Sequence, residues 1–192
     1  TVVDVLTGVA TATVPLGPTP EPGPVERGER AFFNARLSLE NWMSCQSCHT
    51  DGHTNNGLAD TLGDGGYGES KRVPTLRGVW ATGPWAWNGK QFQLHSQIAG
   101  SLSSTMRNDE RPDREQGDKH DQLILDLVAY VTILERPPAL LAARNQSAHP
   151  TIGYQRRQLF EDVGCAECHN GFTSYTSDGT YDVGLQDSVG NT

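Results

Sequence analysis

The sequence predicts a mainly α-helical chain of two small related units with long loops, preceded by a short β segment, and three observations carry that prediction. A pentapeptide of one pattern occurs twice, as Cys45-Gln46-Ser47-Cys48-His49 and Cys165-Ala166-Glu167-Cys168-His169, and together the copies use all four cysteines. A helical pattern leads into each copy and carries a similar pair, Ala31-Phe32 ahead of the first and Leu159-Phe160 ahead of the second, an internal echo that points to duplication. The stretches between are rich in glycine, proline and charge, and carry no period of 3.6 or 2.

The duplicated C-x-x-C-H pattern reads as covalent attachment of c-type haem. Two thiols one helical turn apart can add across the two vinyl groups of a porphyrin, and the adjacent histidine is then held under the iron as proximal ligand. Cys45, Cys48 and His49 would hold one haem, Cys165, Cys168 and His169 a second, so the helical units read as two cytochrome c-like haem domains. The alternatives are a zinc ribbon and a pair of redox-active dithiols. A ribbon brings its knuckles within roughly 20 residues of each other, a much shorter gap than that from Cys48 to Cys165, and a dithiol enzyme gives no reason for a histidine after both motifs.

Composition fits an electron-carrying protein. Fifteen basic against 23 acidic residues give a formal charge of -8, which argues against nucleic acid as a partner. A hydrophobic content of 35% and a mean hydropathy of -0.52 leave a thin apolar core for 192 residues, as expected if two flat porphyrins supply core surface. No apolar run reaches the length of a membrane span, and residues 1–24 lack the basic start and apolar centre of a signal peptide. Because bacteria attach c-type haem beyond the cytoplasmic membrane, the expected location is periplasmic or exported, with any targeting signal upstream of Thr1.

In chain order, residues 1–17 alternate β-branched and small side chains about a Thr7-Gly8 turn and predict two short strands. So small a hairpin is marginal in water, so the strands belong either to a larger sheet or to an arm packed on the haem domain. Pro15, Pro18, Pro20, Pro22 and Pro24 make a stiff linker over 18–24. Pro24 opens a helix with an acidic first turn (Glu26, Glu29) and an apolar stripe of Ala31, Phe32, Ala35 and Leu37. Residues 50–72, centred on Gly63–Gly68, predict a long loop wrapping a cofactor edge. Trp80, Trp85 and Trp87 form a cluster expected to be largely buried, either as ordinary core or as an aromatic contact between two haems. Residues 105–119 are charged and predicted exposed. Ile124, Leu127, Val128, Val131 and Leu134 predict a helix over 121–135, ended by Pro137-Pro138, and a second helix over 155–162 leads into Cys165. The resulting boundaries are 25–150 for the first haem domain and 151–192 for a second, shorter one.

The run Arg27-Gly28-Glu29-Arg30-Ala31-Phe32-Phe33-Asn34-Ala35-Arg36-Leu37-Ser38, then C-x-x-C-H, Val73-Pro74-Thr75-Leu76 and Trp87-Asn88-Gly89-Lys90, resembles the first half of a bacterial dihaem cytochrome c peroxidase of the family that includes MauG. Gln158-Leu159-Phe160, the second motif, Gly171-Phe172 and Asp182-Val183-Gly184 resemble the start of its second domain. The N-terminal strands resemble the closing repeat of a YVTN-type β-propeller, a unit fused to some dihaem cytochromes. The resemblance implies one haem that accepts electrons and another that meets hydrogen peroxide, a small cytochrome or cupredoxin as redox partner, Trp87 between the haems, and Gln97 as the counterpart of a family glutamine ten residues further on and a catalytic candidate.

The departures from that pattern are specific. The family's W-D-G-R is Trp87-Asn88-Gly89-Lys90 here, and Gly63–Gly68 holds no distal histidine. The family's catalytic glutamate would fall near Met106-Arg107, with Asp109 and Glu110 the adjacent carboxylates. Val73 stands where the family places an asparagine associated with interdomain calcium. After the tryptophans, His95 and Met106 are the candidate distal ligands. His53 is expected to bond a propionate or the backbone, and His120 and His149 to lie on the surface. The family continues past the equivalent of Thr192, so completion of the second haem site falls to a partner chain, to a segment outside this sequence, or to one of His53, His95, His120, His149, Met43 and Met106.

Overall fold

The computed structural model describes residues 1–15, 17–18, 20–62, 68, 70–137, 150–169, 175–177, 179–182 and 184. It is mainly helical, with a few short strands. Strand β1 (Val2–Val3) pairs antiparallel with β2 (Ala10–Ala12) around a turn held by the Asp4 side chain, which accepts from the Leu6 and Thr7 amides at 3.0 and 2.8 Å. Val5 and Leu6 at its tip are exposed.

Helix α1 (Pro24–Phe32) opens on Pro24, as the missing amide hydrogen and fixed φ of proline allow. It stops at Phe32, and Ala35–Leu37 forms a separate 3-10 turn capped by Asn34, so the predicted apolar stripe is split between two elements. Helix α4 (Asp118–Thr132) buries Ile124, Leu127, Tyr130 and Val131 against α1 and ends before the proline pair. Gly28 lies where the two backbones come closest. A Cβ there would collide with the Asp126 carbonyl oxygen and stand 2.8 Å from Tyr130 Cβ.

Phe32 is fully buried against this crossing, its ring 5.3 Å from that of Tyr130. Helix α3 (Leu94–Gly100) runs into a π-helical turn, Ser101–Thr105, that sends Leu102 and Met106 into the same core. The hydroxyls of Ser103 and Ser104 bond the Gly100 carbonyl at 3.1 and 2.7 Å, side-chain bonds of the kind that compete with regular helical pairing. Helices α2 (Cys45–Cys48), α5 (Pro150–Asp162) and α6 (Cys165–Cys168) complete the helical set among the described residues. Helix α5 is longer than predicted, and it leaves Ile152 and Leu159 exposed, as is Val163 just past its end.

Several expectations need correction. Within the predicted loop 50–72, Thr50–Gly52 is a 3-10 turn and Leu58–Ala59 pairs with Lys71–Arg72; residues 63–67 lie outside the described ones. The stretch 105–119 is only partly exposed. Asn108 is buried and donates to the Leu37 carbonyl at 2.7 Å, while Arg111 donates to that of Ser38 at 2.7 Å, because the tight turns at 34–41 leave carbonyls that helices cannot satisfy.

The tryptophan cluster does not go inside as a group. Trp85 tucks under by donating from Nε1 to the Val79 carbonyl at 3.0 Å, but Trp80 and Trp87 are 58% and 76% exposed. Ala86, at φ 66, reverses the chain between Trp85 and Trp87.

A half-buried fork ties α1 to α4. Arg27 Nε and Nη2 donate to the two Asp126 carboxylate oxygens, both at 2.7 Å, and Gln122 adds a bond of 2.9 Å to a side chain that is 6% exposed. The Arg27 bonds hold Asp126 below the usual carboxylate range. A depressed folded-state value contributes stability above the unfolded value of about 3.9, and that contribution is lost as pH falls through the folded value. Asp126→Asn should therefore cost about 2 kcal/mol at pH 7, within the range for bonds to charged groups and discounted because Arg27 keeps contact with water. In urea titrations the gap between the two proteins should persist through the ordinary carboxylate range and close only as pH falls through the depressed folded-state value.

Candidate haem sites

Each pentapeptide forms one helical turn followed by a break at the histidine. In α2 the Ser44 amide donates to Ser47 Oγ at 3.0 Å, and the turn closes with His49 N–H on the Cys45 carbonyl at 2.9 Å. In α6 the same closure runs from His169 to Cys165 at 2.9 Å. The histidines leave the turn alike, at φ -102, ψ 62 for His49 and φ -112, ψ 77 for His169. Cysteines three apart therefore share a face in both copies, with the imidazole beside them.

The imidazoles are fixed by the same device. His49 Nδ1 meets the Pro74 carbonyl at 3.0 Å, and His169 Nδ1 meets the Tyr175 carbonyl at 2.9 Å. A carbonyl only accepts, so each Nδ1 carries the proton and each Nε2 keeps its lone pair, the tautomer an axial ligand needs. Burial pushes the His49 pKa down, against the Pro74 carbonyl, and so favours the neutral ring. These residues fit c-type haem.

They fit the alternatives poorly. Burial raises the Cys45 thiol to about 11, and raises Cys48 as well, the opposite of the depressed values that make a dithiol reactive. No three His, Cys, Asp or Glu side chains converge on a metal site among the described residues, which include both motifs, so the knuckles of a zinc ribbon are not assembled. Nor do three carboxylates converge on a calcium site among the described residues.

The surroundings of the two motifs differ. Cys45 packs with Leu37 and Met43 against the core that holds Phe32, Leu102 and Met106. The second motif opens on a cleft of about 470 Å³ bounded by Thr82, Tyr175, Thr176 and Tyr181. The segment 74–82 reaches from one to the other, since Pro74 binds His49 and Thr82 lines the second cleft. Sequence reading missed both acceptors, because Pro74 follows its histidine by 25 residues and Tyr175 by only 6.

The remaining candidates are scattered. Trp87 stands on the outer side of the loop that follows this segment, with the Lys71 ammonium 6.0 Å from its ring centroid. Gln97 lies on α3 and donates to Ser101 Oγ at 3.1 Å. Glu110 is exposed and ion-paired with Arg107, whose hydrogen bonds hold its carboxyl below the usual range. Met106 is 4% exposed within the core, whereas His95 and His53 are exposed. His120 departs from expectation, because its Nδ1 is buried without a hydrogen-bond partner; it lies one turn before Ile124 on the inward side of α4. His149, Phe172, Val183 and Leu185 lie outside the described residues.

Comparisons with known proteins agree with this architecture. The profile of the family described as di-haem cytochrome c peroxidase matches residues 23–131. The chain is 33% identical over 157 residues to hydrazine synthase subunit gamma of Kuenenia stuttgartiensis, covering 77% of this chain and 42% of that protein. It is 24% identical over 175 residues to cytochrome c551 peroxidase of Pseudomonas aeruginosa, covering 76% and 50%. The chain thus spans about half the length of the curated relatives it matches. The solved hydrazine synthase of Kuenenia stuttgartiensis superposes with a TM-score of 0.63 at 23% identity, over 93% of this chain and 67% of that one, a likeness of fold. With a helical crossing at 24–32 and 118–132, a C-x-x-C-H turn between them and a match spanning both, the chain belongs to the dihaem cytochrome c peroxidase family.

Proposed function

We propose that the chain carries two covalent haems, one on Cys45 and Cys48 over His49 and one on Cys165 and Cys168 over His169, and passes electrons between them as a peroxidase-type cytochrome. The observation that carries this is the matched pair of imidazoles, each with Nδ1 on a backbone carbonyl beside a turn that aligns two thiols. Bound haem supplies one-electron redox chemistry and, at an open axial position, reaction with peroxide. The protein orients the ligands, excludes water from the first site with the Phe32–Leu102–Met106 core, and leaves the second site near the surface. Trp87, on the loop that follows the connecting segment, is the candidate electron relay, and Met106, in the core against which Cys45 packs, is the candidate distal ligand.

The function extends to a larger assembly, in keeping with the subunit name of the hydrazine synthase relative. Electrons come from a small redox protein outside the cytoplasmic membrane, where c-type haem is attached. No helix among the described residues is long and apolar enough to cross a membrane.

A second reading, a pure electron-transfer module, is favoured by Glu110. Peroxide cleavage needs a group that takes and returns a proton near neutral pH, and a carboxylate held ionised by Arg107 is a poor one. Haem content and peroxide turnover test both readings. Intact mass and a pyridine haemochrome assay should give two haems per chain; bound zinc, or free thiols without haem mass, would end the first reading. Peroxide-driven oxidation of a reduced donor cytochrome at enzymatic rates, unchanged by Glu110→Gln, would make the chain a peroxidase that uses another proton carrier, and no turnover would leave the carrier.

A further inference from the structure

The two proximal histidines are joined by one short run of backbone. From the Pro74 carbonyl that receives His49, the chain passes Leu76, whose amide donates to the Gly52 carbonyl at 3.1 Å, and Gly78, whose amide donates to the Leu134 carbonyl at 2.7 Å. It then tightens into the 3-10 turn Val79–Ala81, braced by Trp85 Nε1 on the Val79 carbonyl at 3.0 Å. At its far end the Ala81 carbonyl accepts from the Thr176 hydroxyl at 3.4 Å, and the residue before Thr176 is Tyr175, whose carbonyl receives His169 at 2.9 Å.

Each bond along this run either pins the run to the first unit or stiffens it internally. Gly78 has φ 77 and lies beneath the Arg136 side chain, and Gly89 has φ 66 with no room for a Cβ beside the Thr180 methyl, so the second segment is seated closely against the loop that follows the run. The carbonyl that orients His169 is therefore positioned by contacts with the first unit as well as by its own short chain.

We infer that residues 74–82 form a strut that sets both proximal imidazoles, and that the Thr176 hydroxyl on the Ala81 carbonyl is its joint to the second site, making Thr176 a positioning residue for His169. This rests on the haem attachment proposed above. The physical consequence is electronic. A firm Nδ1–H···O=C bond increases the donor strength of the imidazole and favours the oxidised metal, so loosening the Tyr175 carbonyl raises the reduction potential of the second centre and leaves the first unchanged.

The test compares purified haem-loaded wild type, Thr176→Val and Thr176→Ser by spectroelectrochemical titration, with resonance Raman of the reduced iron–histidine stretch as a second readout. Thr176→Val should shift the one-electron equilibrium of the second haem about threefold toward reduction, which is about 30 mV at 59 mV per tenfold. It should also lower the iron–histidine frequency there, and Thr176→Ser should restore both values. An unchanged second haem, an equal shift at both haems, or no recovery with serine would overturn the strut. Loss of the haem reading itself would look different, since wild type would then lack the mass of a second covalent haem.

Discussion

Replacing Cys45 and Cys48 together with alanine should lower the haem content from two per chain to one and unfold the first unit well below its normal temperature. The corresponding change at Cys165 and Cys168 should also remove one haem while leaving that unfolding transition nearly in place. The asymmetry follows from packing. Cys45 sits with the partly buried Leu37 and Met43 against the core of Phe32, Leu102, Met106, Ile124 and Leu127, so a porphyrin tethered there would adjoin the same apolar interior, and its loss would uncover the outer layer of that core at Leu37 and Met43. The second motif faces a cleft at the surface and follows α5, whose Ile152 and Leu159 are exposed, so little of the first core depends on it. Intact mass reports the haem count and calorimetry the transitions. Two covalent haems remaining after the first double substitution would remove Cys45 and Cys48 from the attachment chemistry, and equal losses of stability from both would mean that the units do not fold as separate cores.

The parts of this arrangement that were legible in the sequence are those with a short, regular signal. Two pentapeptides give four thiols and two imidazoles at fixed offsets, and Ile124, Leu127 and Val131 mark α4 through their helical period. The parts that were not legible depend on where a residue is aimed. Asp126 reads as a polar position on an amphipathic helix, but it is covered by Arg27 from 99 residues away. Three tryptophans in eight residues give aromatic area without saying which rings the turn directs inward, and the reversal at Ala86 sends only Trp85 under. The run Ser101-Leu102-Ser103-Ser104-Thr105 has one apolar residue and so no helical period, but its π-helical turn, with serine hydroxyls on the Gly100 carbonyl, delivers Leu102 and Met106 to the core. His120 reads as a surface residue because its sequence neighbours are charged, while its place one turn before Ile124 turns it inward.

Gly28→Ala should destabilise the first unit by about 3 kcal/mol, the upper part of the usual range for overpacking, and Gly28→Val by more. On helix propensity alone the change to alanine would gain about 1 kcal/mol, since an interior glycine weakens a helix. Packing decides the sign here, because the new methyl group would meet the Asp126 carbonyl oxygen, a backbone atom already committed to α4, with Tyr130 Cβ of the next turn of that helix 2.8 Å away. Neither neighbour can swing aside as the end of a flexible side chain could, so the helices must separate, and their separation also stretches the Arg27–Asp126 fork and opens the tilted ring contact of Phe32 with Tyr130. Gly153, inside α5 with nothing within 4 Å of its would-be Cβ, supplies the contrast: alanine there should stabilise by roughly 0.5–1 kcal/mol through propensity. Chemical denaturation of the haem-loaded protein, followed by tryptophan emission and by the haem Soret band, separates the two outcomes. A Gly28→Ala protein as stable as wild type would show that the α1–α4 crossing relaxes without cost, and the close backbone approach would then have no part in holding the wall of the first haem site.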